Sequence, residues 1–303
     1  MSTSLPDVDV VIATHDRPQL VRESIAAVVG QDYGGRVRCW VVFDGTEPDR
    51  RLESRSPGRE VCVLPNSRNR GLAGARNTGI LAGDAALVAF CDDDDVWLAG
   101  KLRRQVAALA TGGAPTCVTG IDVVYDGRST RRVPAPADLD LHQLLRRRTM
   151  EAHPSTVVVR RSALCSRIGL VDEDIPGSYG EDFDWMLRAA RAGGFHLVPD
   201  ALVRVRWGGS QFSRKWRTIV EAIDYGLEKH PEFRQDRHAH ARLLGRRAFA
   251  LAALHDRDAA RTVVRTMLVR PLEPRSYLAL AVALRLTTAE RLLHLAHRRG
   301  HGI

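Results

Sequence analysis

Short apolar runs and stretches of helical periodicity alternate along the first part of the chain. Residues 8–14 (Val-Asp-Val-Val-Ile-Ala-Thr), 37–43 (Val-Arg-Cys-Trp-Val-Val-Phe), 61–64 and 85–90 are rich in β-branched and other apolar side chains. Each is the length of a strand, and near-continuous apolar runs of this kind fit strands buried on both faces. Between them, 18–29 opens on Pro18, which suits a first helical turn, with Asp16 just ahead as a candidate cap, and 72–82 reads as a helix of small residues. Strands alternating with helices predict βαβ units and a parallel sheet. The pattern then loosens. Residues 116–125 and 155–160 read as strands, 139–147 as a helix, 172–180 as a loop rich in Asp, Gly and Pro, 181–192 as a helix and 202–207 as a last strand. Beyond Pro231 three arginine-rich amphipathic helices are expected, over 241–254, 259–269 and 277–296.

The fourth strand carries the first chemical signal, because it ends on Asp92-Asp93-Asp94-Asp95. In open α/β sheets, ligands bind beyond the carboxyl ends of the strands. Adjacent carboxylates raise one another's pKa, and a bound divalent cation removes that cost; hard oxygen ligands suit Mg²⁺ or Mn²⁺. The plainer alternative is a solvated acidic turn ahead of a helix starting near Leu98. The buried strand feeding the cluster favours the metal, which would in turn hold a diphosphate.

With 303 residues, 44% of them hydrophobic and 27% charged, the chain can bury a full core. The five cysteines, Cys39, Cys62, Cys91, Cys117 and Cys165, are odd in number and form no CxxC pair, which points to buried thiols in a reducing compartment. The N-terminal residues carry no signal-like segment, and the longest apolar run, near 277–284, is far short of a membrane span, so a cytoplasmic protein is expected. The net charge of +9 is uneven: from Arg234 onward there are 14 Lys+Arg against 5 Asp+Glu, leaving 31 against 31 before it. A charge-neutral first part argues against nucleic acid as partner. The basic tail is a candidate for an anionic membrane surface at the inner face, an acidic partner or a homodimer contact.

Five stretches in register resemble glycosyltransferase family 2, of the GT-A fold: Val-Val-Ile-Ala-Thr-His-Asp-Arg-Pro (10–18), Trp-Val-Val-Phe-Asp-Gly-Thr (40–46), Asn-Arg-Gly-Leu-Ala-Gly-Ala-Arg-Asn-Thr-Gly-Ile (69–80), Phe-Cys-Asp-Asp-Asp-Asp-Val-Trp-Leu (90–98) and Gly-Glu-Asp-Phe-Asp-Trp-Met-Leu-Arg (180–188). The resemblance implies an α/β fold with a Rossmann-like mixed sheet flanked by helices. Its catalytic domain would cover 1–233, with a nucleotide-sugar half to about 125 and an acceptor half to 233. A C-terminal α-helical appendage would follow over 234–303. It further implies an inverting transfer from a nucleotide-diphospho-sugar, a UDP-sugar first among them, to a hydroxyl acceptor that is a glycan, a lipid-linked sugar or a small molecule. Asp44 would meet the nucleotide base, with Phe43 where the family often has a second acid. Ala13, Thr14 and Asp16 would flank the nucleotide and Arg76 would face the diphosphate. Asp92 and Asp94 would hold Mn²⁺ or Mg²⁺, with Asp94 the foremost direct ligand and Asp93 or Asp95 turned toward sugar hydroxyls or structure. Asp182 would be the general base, with Glu181 a sugar or acceptor contact and His153 lining the acceptor side. Many relatives place a histidine after the last strand; Trp207 stands there in this chain.

Two other readings stay open at this point. Phe-Cys-Asp-Asp-Asp-Asp-Val also fits the nucleophile pattern of haloacid-dehalogenase-like phosphatases, with Asp92 phosphorylated. The chain could also be a non-catalytic, glycosyltransferase-like scaffold whose tail binds a partner.

Overall fold

The protein was analysed as a computed structural model, which describes residues 5–149, 151–206 and 215–298. It divides into two compact units, the first comprising residues 1–144, 148–173 and 181–209 and the second 145–147, 174–180 and 210–303.

The first unit is built on a ten-stranded mixed sheet. Strands β1 (Val8–Thr14), β2 (Val37–Phe43), β3 (Ser54–Ser56), β4 (Arg59–Pro65) and β5 (Leu87–Phe90) come first. Then follow β6 (Val96–Trp97), β7 (Thr116–Tyr125), β8 (Arg128–Arg132), β9 (Val158–Arg160) and β10 (Phe195–Arg206). The spatial order is β3-β4-β2-β1-β5-β9-β7-β10-β6, with β8 alongside β7. Strands β4, β2, β1 and β5 run parallel, so Thr14, Phe43 and the residues after Phe90 reach the same edge of the sheet. From β1 the chain crosses outward to β2 and β4 on one side and later to β5 on the other, which makes the carboxyl end of β1 a switch point. β9 is antiparallel to both β5 and β7, and this turns the sheet from parallel to mixed.

Helices α1 (Pro18–Val29), α2 (Leu72–Ala82), α3 (Lys101–Thr111), α4 (Leu141–Arg146), the single turn α5 (Arg161–Ala163) and α6 (Glu181–Arg191) complete this part of the chain. Alternation along β1 assigns them to faces: Val8, Val10 and Ile12 join Val21, Ile25 and Val28 of α1 and Leu102, Val106 and Leu109 of α3, whereas Val11 joins Ile80 of α2 and Trp185 and Met186 of α6. Both faces of the sheet are covered. Helix α2 comes close because Gly79 has no side chain; a Cβ there would sit 2.5 Å from Val11 Cγ1.

The second unit is helical, with α7 (Trp216–Lys229), α8 (Glu232–Gln235), α9 (Arg237–Ala253), α10 (Asp258–Val269), α11 (Pro274–Ala283) and α12 (Ala289–Arg298). Ala248, Phe249, Leu251 and Ala252 of α9 form its core with Ala259 and Val263 of α10 and Ala279 and Val282 of α11. Among the described residues no helix is long and apolar enough to cross a membrane.

The α/β architecture with C-terminal helices agrees with the reading of the sequence, and the departures have local causes. β3, β6 and β8 are short or polar and lack the apolar run that reveals a strand. Strand β10 begins at Phe195, seven residues ahead of the expected 202, because its pairing with β7 survives register shifts around Val198, Ala201 and Val203 that break the alternation. The expected helix over 277–296 is two helices, divided at Arg285, whose φ is +60°, with Thr288 Oγ1 accepting the Arg291 N–H at 3.3 Å. Asp16 does not cap α1: the cap position is Arg17, and Asp16 is exposed at φ +52°. Cys39, Cys91 and Cys117 are buried, whereas Cys62 is half-buried and Cys165 is exposed; all five are free thiols.

Lys101 opens α3 fully buried, its Nζ 3.8 Å above the centre of the Trp97 ring and without a hydrogen-bond partner among the described residues. Burial pushes its pKa down to about 7, against the weaker opposing pull of Cys91 and Cys117. Between about pH 7 and about 10.5 the unfolded chain holds this proton and the native state does not. Stability conferred through this group therefore rises with pH across that window and is lowest below it. Lys101→Met should raise the thermal midpoint at neutral pH and flatten the rise in denaturant-unfolding free energy between neutral and alkaline pH; an unchanged slope would dissociate Lys101 from it.

Candidate active site

The sheet edge at the carboxyl ends of β1, β2 and β5 gathers most of the residues singled out in the sequence. At the end of β2, Asp44 donates its N–H to the Thr14 carbonyl at 2.9 Å. Its carboxylate accepts from the Asn66 side chain at 2.7 Å and the Gly71 N–H at 3.0 Å. It therefore ties β2 to the loop that precedes α2. Gly71 adopts φ +128° there, and Gly74 is so close to Asn69 that a Cβ would lie 1.9 Å from the Asn69 carbonyl oxygen. Exposed His15 meets the Asp44 carbonyl through Nδ1 at 2.6 Å. Ala13 is buried in β1 and Asp16 is solvent-exposed at its end.

The four aspartates after β5 do not point the same way. The Asp95 N–H donates to the Asp92 carbonyl at 3.1 Å, closing a turn. Asp93 is buried, accepts from Thr14 Oγ1 at 2.8 Å and pairs with Arg17 at 2.9 Å. Asp94 also pairs with Arg17, at 2.7 Å, and keeps about a third of its side chain exposed. Burial, together with Asp92 and Asp95, pushes the Asp94 pKa up to about 6 despite Arg17. Asp92 and Asp95 turn toward His153, whose Nε2 lies 3.7 Å from Asp92 and whose Nδ1 lies 3.2 Å from Asp95. Ser155 fixes this corner: its Oγ accepts the Asp92 N–H at 2.9 Å and donates to the Asp95 carboxylate. Burial alone would lower the His153 pKa, but Asp95, Asp92 and Asp182 outweigh it and raise it to about 9.

Ligand atoms of Asp92, Asp95 and His153 all lie within 4.8 Å of one another. Two carboxylates and an imidazole converging in this way fit a divalent cation of the Mn²⁺ type. Asp94, expected as a ligand alongside Asp92, stands on Arg17 and outside that group. Arg76, expected at a diphosphate, is buried instead, between Asp92 at 2.6 Å and Glu181. Trp207 lies outside the described residues.

Helix α6 brings the second acidic pair. Phe90 at the end of β5 meets Trp185 edge-on, with ring centroids 5.7 Å apart, which holds the start of α6 against the strand that carries Asp92. Burial raises the Glu181 pKa to about 7, with Asp182 and Asp92 adding to it and Arg76 opposing. Burial pushes on Asp182 too, yet Arg148, which is paired with it, and Arg76 prevail and hold its carboxyl below the ordinary range. Asp182, Arg148 and His153 line a small, partly open cleft together with Leu144, Thr149 and Met186.

Sequence reading missed Arg17, Arg148 and the pairing of His153 with the acidic turn, and it set Asp95 toward sugar hydroxyls or structure rather than beside His153. Arg17 and Asp95 sit inside quoted motifs, but nothing in a linear motif shows which neighbour turns inward. His153-Pro154-Ser155 is 58 to 63 residues from the aspartates it organises, a contact that only the antiparallel insertion of β9 produces.

The family model for glycosyl transferase family 2 matches residues 9–166. A succinoglycan biosynthesis protein of Rhizobium meliloti, ExoO, is 34% identical over 129 residues, 42% of this chain and 37% of that protein, so the chain spans well under half of that relative's length. Two solved structures share the fold at low identity. S. aureus TarS 1-349 in complex with UDP-GlcNAc aligns over 97% of this chain and 92% of its own, with a TM-score of 0.60 and 16% identity. The mannosyltransferase PcManGT of Pyrobaculum calidifontis, in complex with GDP-Man and Mn²⁺, aligns over 96% and 83%, with a TM-score of 0.57 and 20% identity.

Because Arg76 is buried and compensates the buried Glu181 and the half-buried Asp92, Arg76→Met should destabilise the protein by about 3 kcal/mol at neutral pH. The loss should shrink as pH falls through the carboxylate range and both acids become neutral. Thermal unfolding of Arg76→Met and of Arg76→Met/Glu181→Gln checks this, with the double variant recovering part of the loss.

Proposed function

The chain belongs to glycosyl transferase family 2, and from that membership we propose that it moves a sugar from a nucleotide-diphospho-sugar, a UDP-sugar first among them, to a hydroxyl acceptor with inversion at the anomeric carbon. The observation that carries the reading is the juxtaposition, at one sheet edge, of Asp44 with the convergent Asp92, Asp95 and His153, and of these with Asp182 in an adjoining cleft. Both solved neighbours hold a nucleotide-diphospho-sugar, and one also holds Mn²⁺. These complexes, together with the family match, support the transferase over a phosphatase or a scaffold. The catalytic domain would cover 1–233, with the basic helices from 234 onward as an extension.

In this reading the base of the nucleotide lies near Asp44, whose carboxylate suits an imide N–H. Ala13, Thr14 and Asp16 border the same edge. Asp92, Asp95 and His153 would hold the divalent cation, which supplies charge stabilisation to the departing nucleoside diphosphate. Arg17 holds Asp93 and Asp94 at the rim, leaving Asp94 partly exposed there. Arg76 acts as a positioning residue, fixing Asp92 and Glu181 rather than gripping phosphate. Asp182, ionised at neutral pH, takes the proton of the acceptor hydroxyl as that oxygen attacks the anomeric carbon, and the C–O bond to the diphosphate breaks on the opposite face. Arg148 must yield part of its contact with Asp182 for the hydroxyl to approach. Glu181 contacts the sugar or the acceptor.

Calorimetry with UDP should show binding that a chelator weakens. Asp95→Asn and His153→Ala should mimic chelation more fully than Asp94→Asn; the reverse order would return the metal to Asp94. With a sugar donor and a hydroxyl acceptor in hand, Asp182→Asn should keep donor affinity and fold while losing ~10²- to 10⁴-fold in turnover, the scale of a lost general base. Retained anomeric configuration in the product, or full activity of Asp182→Asn, would remove Asp182 from this role.

A further inference from the structure

Helices α10 and α11 form a hairpin whose charge is graded along its length. The acids Asp256 and Asp258, with Arg257 between them, stand just ahead of and at the start of α10. Further along, the exposed positions are Arg261, Val264, Arg265 and Leu268, spaced to share one helix face. Leu268 of α10 and Leu272 in the turn are 78% and 75% exposed, and Val264 and Tyr277 are 57% and 50% exposed; Leu284 and Leu286, past the end of α11, are exposed too. The Tyr277 hydroxyl donates to the Pro271 carbonyl at 2.8 Å, which sets its ring beside the turn that carries Leu272. The acid of the turn, Glu273, is buried and engaged by Arg270 at 3.3 Å and Arg275 at 2.9 Å. The tip therefore presents apolar side chains and arginines, with its carboxylate turned inward.

We propose that this tip, formed by Arg261, Val264, Arg265, Leu268, Leu272 and Tyr277, docks onto an anionic lipid surface. Aliphatic and aromatic groups enter the headgroup–acyl boundary while the adjacent guanidinium groups pair with lipid phosphates. Charge complementarity selects this occupant over a second copy of the chain. A two-fold contact through the tip would set Arg261 and Arg265 against their own copies, with Glu273 already neutralised. Four apolar side chains are also a small fraction of the ~20–30 residues a side of a stable interface. The surface lies within the helical unit and does not depend on the donor-binding reading.

Flotation of the full-length protein with phosphatidylcholine vesicles, with and without phosphatidylglycerol, tests the proposal. Binding is expected only with the anionic lipid and should fall with salt. Arg261→Gln and Arg265→Gln should each weaken partition about fivefold, the fold-change equivalent of about 1 kcal/mol per basic residue. Leu268→Ser/Leu272→Ser should weaken it further while leaving circular dichroism and UDP binding unchanged, since both side chains are exposed. Absence of flotation at low salt, equal flotation with neutral vesicles, or a dimer that Leu268→Ser/Leu272→Ser dissociates would each overturn it.

Discussion

Arg76 lies buried between Asp92 and Glu181, and the geometry of the site follows from the need to keep that arrangement neutral. Parallel strands deliver polar residues to one edge of the sheet, and here the turn after β5 and the start of α6 crowd six carboxylates together: Asp92 to Asp95, Glu181 and Asp182. Charges taken out of water at this density would not stay ionised unaided. Four groups from four elements share the compensation: Arg17 ahead of α1 serves Asp93 and Asp94, Arg76 of α2 serves Asp92 and Glu181, Arg148 after α4 serves Asp182, and His153 ahead of β9 serves Asp92 and Asp95. The positions of these elements are thus fixed by charge balance as well as by packing. Adding a divalent cation to such a site replaces compensation already present, chiefly the proton that the carboxylates hold on His153.

The same balance separates neighbouring acids by role. Glu181 and Asp182 are adjacent in sequence at the start of one helix, yet burial raises Glu181 to about 7 while Arg148 and Arg76 overcome burial at Asp182 and keep it ionised. Paired carboxylates whose environments push them apart are the usual mark of divided labour in catalysis. A helix dipole or a cap would have acted on both alike.

Strands β1, β2 and β7 were legible to the residue because β1 is buried throughout and β2 and β7 are buried over most of their length, and such burial writes itself as an apolar run. Legibility failed where other forces set the structure. β3 and β8 are polar edge strands whose pairing is held by backbone groups, which carry no side-chain signature. Helix α11 ends without glycine or proline, and only the threonines ahead of Ala289 hint that a new helix begins.

The acidic run shows how residues adjacent in a motif can part in space. The family resemblance pairs Asp92 with Asp94, and in an extended chain residues two apart would share a face. The strand has already ended at Phe90, and the Asp95 N–H to Asp92 carbonyl bond folds the run into a turn. In a closed turn the first and fourth residues approach each other, so Asp92 pairs in space with Asp95, while Asp93 and Asp94 swing to Thr14 and Arg17. Ser155 then secures the result by bonding to the backbone of one aspartate and the side chain of the other. Four identical side chains thereby acquire three environments, set in part by one backbone hydrogen bond that the letters of the motif do not encode.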